Sequence, residues 1–489
     1  MKPFTIKIHA LIVFLLNTFV IICSLFLIEQ TNMSVKDAYI FVTILMWIQF
    51  GFSILQCVAL NSIKNTISFL FFIIAYFILL IGSYSVHIGD MTFYGQFTFM
   101  TRVQISHSIE LQSMHCIVLS LYLITFFYTL GSCFFKPNFN VLSKNDSELF
   151  RKISLSFMFL GGIAAFLKSG STMLYGLQYG YTSLYLASGT TLFQNPFIDL
   201  FDKFYILGLY GYLATFPAID KLKIPLITFF VYLLISLFTG YRGTFVIGIV
   251  FLIWYFAKRD LIFFDRKQFY TKRKMILLSV CCILLPILMQ IIGSLRVGGN
   301  VDLSQIDELF FGFFDSQGLT GKLGAVALQY REAILSIAEP FELVIAPLKN
   351  FLINNSLVRL FTGGILGQSF DSLTTNPNFG AVATYVTNTA AYFSGGAIGT
   401  CYFVEAMIGY GFIGLLCANL IVALLLCWLD NITANTWYLN ILKFNLVETS
   451  IYTPRHSLFD FVPNSFSAVI FILITYFIVV LARERYVNR

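Results

Sequence analysis

Five arginines and five proton acceptors are the residues of this chain whose types and placement could do chemistry. Arg242, Arg296 and Arg455 each stand at the end of a hydrophobic run, where a charge is tolerated mainly if it is solvated or useful. Arg331 and Arg359 lie in the long segment from Val297 to about Ala397. A guanidinium fork suits phosphate or carboxylate oxygens bidentately and could steady negative charge as it develops. Glu332, Asp315, Asp371, Glu405 and His456 are candidate proton acceptors, a role that suits a carboxylate or a neutral imidazole. Each assignment has a plainer counterpart. The arginines could contact lipid headgroups or cap helices, His456 could be a solvated loop histidine, and Glu405 could orient the chain's return to the membrane by pairing with an arginine.

The elements that must position these groups are membrane spans. Hydrophobic residues make up 58% of the chain and charged ones 11%, and apolar stretches near the ~20 residues needed to cross a bilayer recur throughout. Candidate spans fall near 7–28, 38–60, 66–84, 113–135, 153–168, 201–219, 224–240, 243–257, 275–295, 398–428, 436–453 and 464–482, about twelve in all, with short ones on either side of Arg242. The fold class expected is an all-α polytopic integral membrane protein with one large extracytoplasmic loop. Residues 1–295 would form spans one to nine, 296–397 the loop, and 398–489 the last three spans and a cytoplasmic C-terminus. The first apolar run is full span length without a small-residue cleavage pattern, so no cleavable signal is expected.

Basic residues stay on the cytoplasmic side during insertion, and one short connection carries Lys258, Arg259, Arg266, Lys267, Lys272, Arg273 and Lys274. Arg483, Arg485 and Arg489 at the C-terminus agree. Both termini are therefore expected inside, with 85–112, 169–200 and the long segment outside. The net charge of +7 then reflects insertion bias rather than nucleic-acid binding.

A structureless loop of roughly 100 residues would be anomalous in a compact domain. Leu309–Phe314, Leu323–Ile337 and Phe341–Leu352 alternate apolar and polar faces at roughly helical spacing, which predicts short amphipathic helices on or near the outer membrane face. Thr362–Gly367 and Thr374–Gly380 punctuate them with turn chemistry. The segment is net acidic, with Lys322, Arg331, Lys349 and Arg359 against Asp302, Asp307, Glu308, Asp315, Glu332, Glu339, Glu342 and Asp371. Arginines at the span ends would then hold an anion, and the loop would supply the proton acceptor. Lys322 and Lys349 read as solvated faces, Lys168 and Lys203 as lysines snorkelling from span ends, and Glu448 as the clearest intramembrane carboxylate. Tyr179, Tyr181 and Tyr185, with Tyr175, cluster in 169–200 and offer faces for sugar rings, although an aromatic belt at the membrane interface predicts the same residues.

Several function classes lose support. The nine cysteines fall in or near apolar spans without a paired pattern in an outer loop, and the five histidines are scattered, so neither a disulfide framework nor a metal site is expected. Walker A, Gly-rich dinucleotide and Gly-x-Ser-x-Gly patterns are missing, and no cofactor is expected. The halves of the chain show no internal repeat of the kind that builds many transporters.

Three stretches carry a family resemblance. Thr239-Gly240-Tyr241-Arg242-Gly243-Thr244, at the turn of a tight helical hairpin, resembles the small-residue/Arg hairpin of Wzy-type O-antigen and oligosaccharide-repeat polymerases. Tyr402-Phe403-Val404-Glu405-Ala406-Met407-Ile408-Gly409-Tyr410-Gly411-Phe412-Ile413-Gly414 resembles a second signature, and Arg455-His456-Ser457-Leu458-Phe459-Asp460 is similar to a third. The resemblance implies a metal-independent, GT-C-like membrane glycosyltransferase of the bacterial inner membrane. Its substrates would be undecaprenyl-diphosphate-linked oligosaccharides, with the growing glycan moved from its lipid diphosphate to the next lipid-linked repeat. It also implies a chain-length regulator and a flippase as pathway partners. In that chemistry Arg242, Arg296, Arg331, Arg359 and Arg455 would bind the diphosphate, and Glu332, His456, Asp315, Asp371 or Glu405 would accept the hydroxyl proton. A lipid-linked oligosaccharide flippase and an O-antigen ligase are the alternatives, the first expected to show related halves and short outer loops.

Overall fold

The computed structural model describes residues 8–30, 33–60, 63–99, 101–134, 144–180, 183–186, 192–239, 242–263, 268–296, 304–365, 367–431 and 437–487. Backbone polar groups inside lipid must be satisfied internally, and helices do this within one segment. Eight helices among the described residues are long and apolar enough to cross a membrane: Val35–Leu60, Ile67–Val86, His107–Phe134, Glu148–Tyr179, Ile219–Phe238, Lys272–Ser294, Tyr402–Asp430 and Phe461–Leu481. Helices Ile8–Gln30, Pro196–Ala214, Arg242–Ile262 and Trp437–Ile451 lie at the other four expected spans. Lys272–Arg296 leaves Ile276, Leu277, Ile283 and Leu284 exposed, a face that suits a hydrocarbon surrounding.

The protein is therefore a polytopic, overwhelmingly α-helical membrane protein. Among the described residues one short antiparallel strand pair, Gln96–Phe99 with Thr101–Gln104, interrupts the helices. The expected loop 169–200 also begins later than its apolar run suggests, because the helix Lys144–Tyr179 continues through 169–179.

Small residues allow close helix contact. The Lys144–Tyr179 and Pro196–Ala214 helices meet where a Cβ on Gly161 would lie 2.3 Å from Tyr205 N and one on Gly208 would lie 2.5 Å from Met158 N. Without a hydrophobic force between helices in lipid, such backbone approach supplies the packing. Replacing Gly208 by Leu is expected to destabilise the bundle by about 1–3 kcal/mol or more, read as a lowered unfolding temperature in detergent. A wild-type transition would show that these helices do not meet there.

Two apolar cores result. One gathers Val35–Leu60, Ile67–Val86, His107–Phe134 and Tyr402–Asp430 with residues from 323–401, and the other gathers the helices between Lys144 and Ile262 with Trp437–Ile451 and Phe461–Val487. Asp430 ties them at one end. Its carboxylate accepts from Ser68 N at 2.9 Å and Phe69 N at 3.3 Å, capping a helix start, and binds Lys258 Nζ at 2.8 Å.

Of the expected amphipathic helices, Leu309–Phe314 falls inside Ile306–Gly318 and Phe341–Leu352 inside Pro340–Asn354. Leu323–Ile337 does not lie on a membrane face as one unit. It breaks at Tyr330 into Leu323–Gln329 and Arg331–Leu335, and Ala325, Val326 and Ala327 are fully buried. Glycines explain the burial: a Cβ on Gly318 would lie 2.1 Å from Ser83 N, one on Gly321 2.2 Å from Leu80 O, and one on Gly324 2.4 Å from Ser113 Oγ. This stripe at i, i+3 and i+6 lets the segment pack between the Ile67–Val86 and His107–Phe134 helices.

Lys322, expected on a solvated face, is buried on the same stripe. It forms an ion pair with Glu110 at 3.3 Å, donates to Phe93 O and to Gln96 O at 2.8 Å, and lies 3.4 Å from the centre of the Phe93 ring. Burial pulls its pKa below the usual lysine value, against the pull of Glu110. Lys349 keeps a partly exposed position beside Glu342 at 3.0 Å.

Candidate functional site

The stretch 455–460 is held from below by Glu405. This carboxylate, in the first turn of Tyr402–Asp430 and fully buried, accepts from Ser457 Oγ at 2.7 Å, from Leu458 N at 3.2 Å and from Thr400 Oγ1. Glu405 thus orients the connection before the last helix, through a hydroxyl and a backbone amide where the sequence suggested an arginine. Asp460 folds back on the same turn, accepting from Ser457 N at 3.0 Å and pairing with His456 Nδ1 at 3.0 Å. A carboxylate on one ring nitrogen fixes the imidazole's orientation and leaves the other nitrogen for a second partner.

Arg455 closes the 3-10 turn Thr453–Arg455, and its Nη1 donates to Gln317 Oε1 at 2.8 Å. Arg242 is the first residue of its helix. Its Nη1 donates to Met289 O at 2.7 Å, and the guanidinium sits where Gly293 has no side chain, since a Cβ there would lie 2.2 Å from Nη1. Arg242, Gln317 and Tyr452 share the wall of an apolar crevice of about 130 Å³ with Phe71, Ile74 and Ile78. The Tyr452 ring stands edge-on to His456, 5.2 Å between centroids. Gln317 thus holds Arg455 and lines the same greasy crevice as Arg242.

His456 and Asp460 also line a polar hollow of about 330 Å³ with Lys203, Asn350, Asn354 and Asn464. Asn350 and Asn354 in turn line a third hollow of about 430 Å³ walled by amides and hydroxyls. Apolar crevice, arginine and histidine turn, and polar hollows follow one another through shared or adjoining residues.

The other candidates lie elsewhere or have other work. Arg331 is exposed and donates Nε to Ile408 O at 2.8 Å. That carbonyl sits beside the break in Tyr402–Asp430 at Gly411, whose φ of 59° and ψ of −138° only glycine adopts readily, so Arg331 caps a broken helix. Arg359 is almost buried, paired with Asp199 at 2.8 Å and donating to Gln194 O. Lys168 joins that group through Asp199 at 2.6 Å and Asp202 at 2.7 Å, a firmer anchorage than snorkelling. Asp315 is partly exposed and 3.1 Å from His87 Nε2. Glu332 and Asp371 are exposed. Tyr179 is 59% exposed with its ring 4.7 Å from that of Tyr175. Tyr181 lies outside the described residues, as do the side chains of Arg296 and Tyr185.

Sequence reasoning assigned no role to Gln317, Asp199, Asp202, Asn350 or Asn354. Asp460 carried a usable signal, since its spacing of four from His456 places the two side chains within reach of each other. The partners Asp199 and Arg359 carried none, being far apart in the chain.

A many-helix bundle of apolar spans, with arginines and a carboxylate-held histidine between a greasy crevice and polar hollows, belongs to the class of polytopic α-helical membrane proteins. Residues 6–485 match the family model described as O-antigen polysaccharide polymerase Wzy. With nearly the whole chain matched, the protein belongs to that family, in agreement with the resemblance carried by its three stretches. No curated protein and no solved structure matches the chain.

Proposed function

We propose that this O-antigen polymerase joins undecaprenyl-diphosphate-linked oligosaccharide repeats, moving the growing glycan from its lipid diphosphate onto a hydroxyl of the next lipid-linked repeat. The observation that carries the reading is the Arg455–His456 turn, where a cation and a carboxylate-held imidazole adjoin both the apolar crevice and the polar hollow. In this reading the crevice takes the first carbons of the lipid chain and the arginines take the diphosphate. The acceptor oxygen forms a new bond to the anomeric carbon of the donor sugar as the bond from that carbon to the diphosphate oxygen breaks. The electron pair leaves on the diphosphate, whose added charge Arg455 and Arg242 stabilise, and the hydroxyl proton passes to His456. Asp460 steadies the imidazolium, and Glu405 positions the turn. The reaction as written uses side-chain cations alone and needs no cofactor.

The site would face the outside of the bacterial inner membrane, with twelve spans, both termini cytoplasmic and residues 296–397 forming the extracytoplasmic segment. Arg359 and Lys168, bound to Asp199 and Asp202, act as structural cations in this account. Deleting the gene in its host is expected to leave surface glycan capped with a single repeat, seen as one band in place of a ladder on a polysaccharide gel. Complete loss of glycan would instead favour a flippase or ligase.

A further inference from the structure

We infer that the hollow walled by Asn350, Asn354, Gln368, Ser372, Asn376 and Tyr392 is a subsite for uncharged sugar residues of the acceptor glycan. At about 430 Å³ it falls among cavities of ~300–1,000 Å³ that hold small ligands. None of its lining residues is charged, which fits neither a diphosphate nor a metal ion. Carboxamides and hydroxyls both donate and accept, the pattern that vicinal sugar hydroxyls answer.

The wall is built before any ligand arrives. Asn354 Nδ2 donates to Asn350 Oδ1 at 2.8 Å, and Asn354 Oδ1 accepts from Ile365 N at 2.7 Å. Gln368 Nε2 donates to Gly396 O at 3.1 Å. Ser369 and Ser372 form a capping box, and the Tyr392 hydroxyl donates to Ser369 O at 3.0 Å. Two acceptors remain on this wall with no protein partner among the described residues, Gln368 Oε1 and Asn376 Oδ1. Buried carbonyl oxygens without a partner are uncommon in folded proteins, and these two belong to residues that line the hollow.

Position selects the acceptor over the donor lipid. Asn350 and Asn354 also line the hollow of His456 and Asp460, so a glycan held here would bring its attacking hydroxyl toward the imidazole. Tyr175 and Tyr179, the described members of the tyrosine cluster expected from sequence to stack on sugars, line neither hollow. This inference rests on the polymerase reading for its substrate.

The test titrates the purified full chain, in lipid nanodiscs, with the delipidated repeat oligosaccharide released from the host's surface polysaccharide, and measures polymerisation of lipid-linked repeats in parallel. Gln368→Ala and Asn376→Ala are each expected to weaken oligosaccharide binding about tenfold, as one lost hydrogen bond of ~1.4 kcal/mol would, and to raise the acceptor KM with little change in kcat. Arg242→Ala is expected to stop polymerisation and keep oligosaccharide binding. Unchanged binding and KM in both amide variants would overturn the subsite, as would Asn350→Trp with wild-type binding. A wild-type chain that binds the oligosaccharide but never polymerises lipid-linked repeats would leave the subsite standing and overturn the polymerase reading. Variants that lose binding together with their unfolding transition are replaced by Gln368→Met and Asn376→Leu, which remove the acceptor oxygen at nearly the same size. Wild-type binding in that pair overturns the proposal.

Discussion

Arg455→Lys is expected to lower the rate of chain elongation by about 100-fold or more and leave mainly single repeats on the surface glycan, because a lysine cannot keep one donor on Gln317 while offering a fork to two diphosphate oxygens. Loss of one donor aimed at developing charge typically costs ~10²–10³ in rate. Arg242→Lys should behave alike, for a second reason. The pocket beside Gly293 is shaped to a planar guanidinium whose Nη1 reaches Met289 O, and a tetrahedral ammonium on a flexible stem would not be held there. The Arg455 variant should unfold near the wild-type temperature, since the side chain gives up a donor to the neutral carboxamide of Gln317. The check is the glycan ladder together with the amount of folded protein in the membrane. Wild-type ladders in both variants would remove the arginines from the diphosphate site.

Lys322→Ala is expected to be the most damaging change to the fold. It would leave Glu110, fully buried, without its cation and strip two backbone carbonyls of their donor. Removing one member of a buried pair typically costs ~3–5 kcal/mol, a large share of a marginally stable protein's margin. The pair also docks residues 318–327 against the strand pair and the His107–Phe134 helix, so its loss would loosen the turn that directly follows Gln317. The double variant Lys322→Met with Glu110→Gln should recover much of the stability, because no unpaired charge stays buried. Fluorescence-detected size exclusion after heating separates the cases. A wild-type transition for Lys322→Ala would show that the pair is solvated.

Most of the bundle is legible in the sequence because lipid imposes one demand, a run of apolar residues long enough to cross, and that demand is local. The Ile67–Val86 and Tyr402–Asp430 helices appear close to where the apolar runs begin. What the runs hid was continuation past a charge. Lys168 looked like the end of a span, yet the helix goes on to Tyr179 because Asp199 and Asp202 on the neighbouring helix neutralise the ammonium.

The candidate site was legible in part for the same reason. The spacing of His456 and Asp460 is local and the pair forms. The likeness of Arg242 and Arg455 to family motifs singled them out, but Gln317, which holds Arg455 and lines the crevice of Arg242, had no mark of its own. Lys322 was misread because its sequence neighbours are small and polar, while its partner Glu110 lies on a distant helix. The glycine stripe at 318, 321 and 324 was the available clue, since three bare backbone positions on one face indicate close packing rather than a solvated surface. Glu405 shows the converse: its burial followed from its place at the start of an apolar helix, whereas its partners Ser457 and Leu458 required the fold.

The central claim is that the Arg455–His456 turn is where the sugar hydroxyl meets the lipid diphosphate. Single-turnover transfer by purified protein, with undecaprenyl-diphosphate-linked repeats in proteoliposomes, tests it most directly when His456→Ala is compared with wild type. Wild type should yield the two-repeat product and one equivalent of undecaprenyl diphosphate, and the variant should bind the donor as tightly but transfer about 10²-fold or more slowly, the loss expected for a missing general base. Transfer by His456→Ala within twofold of wild type would contradict the account.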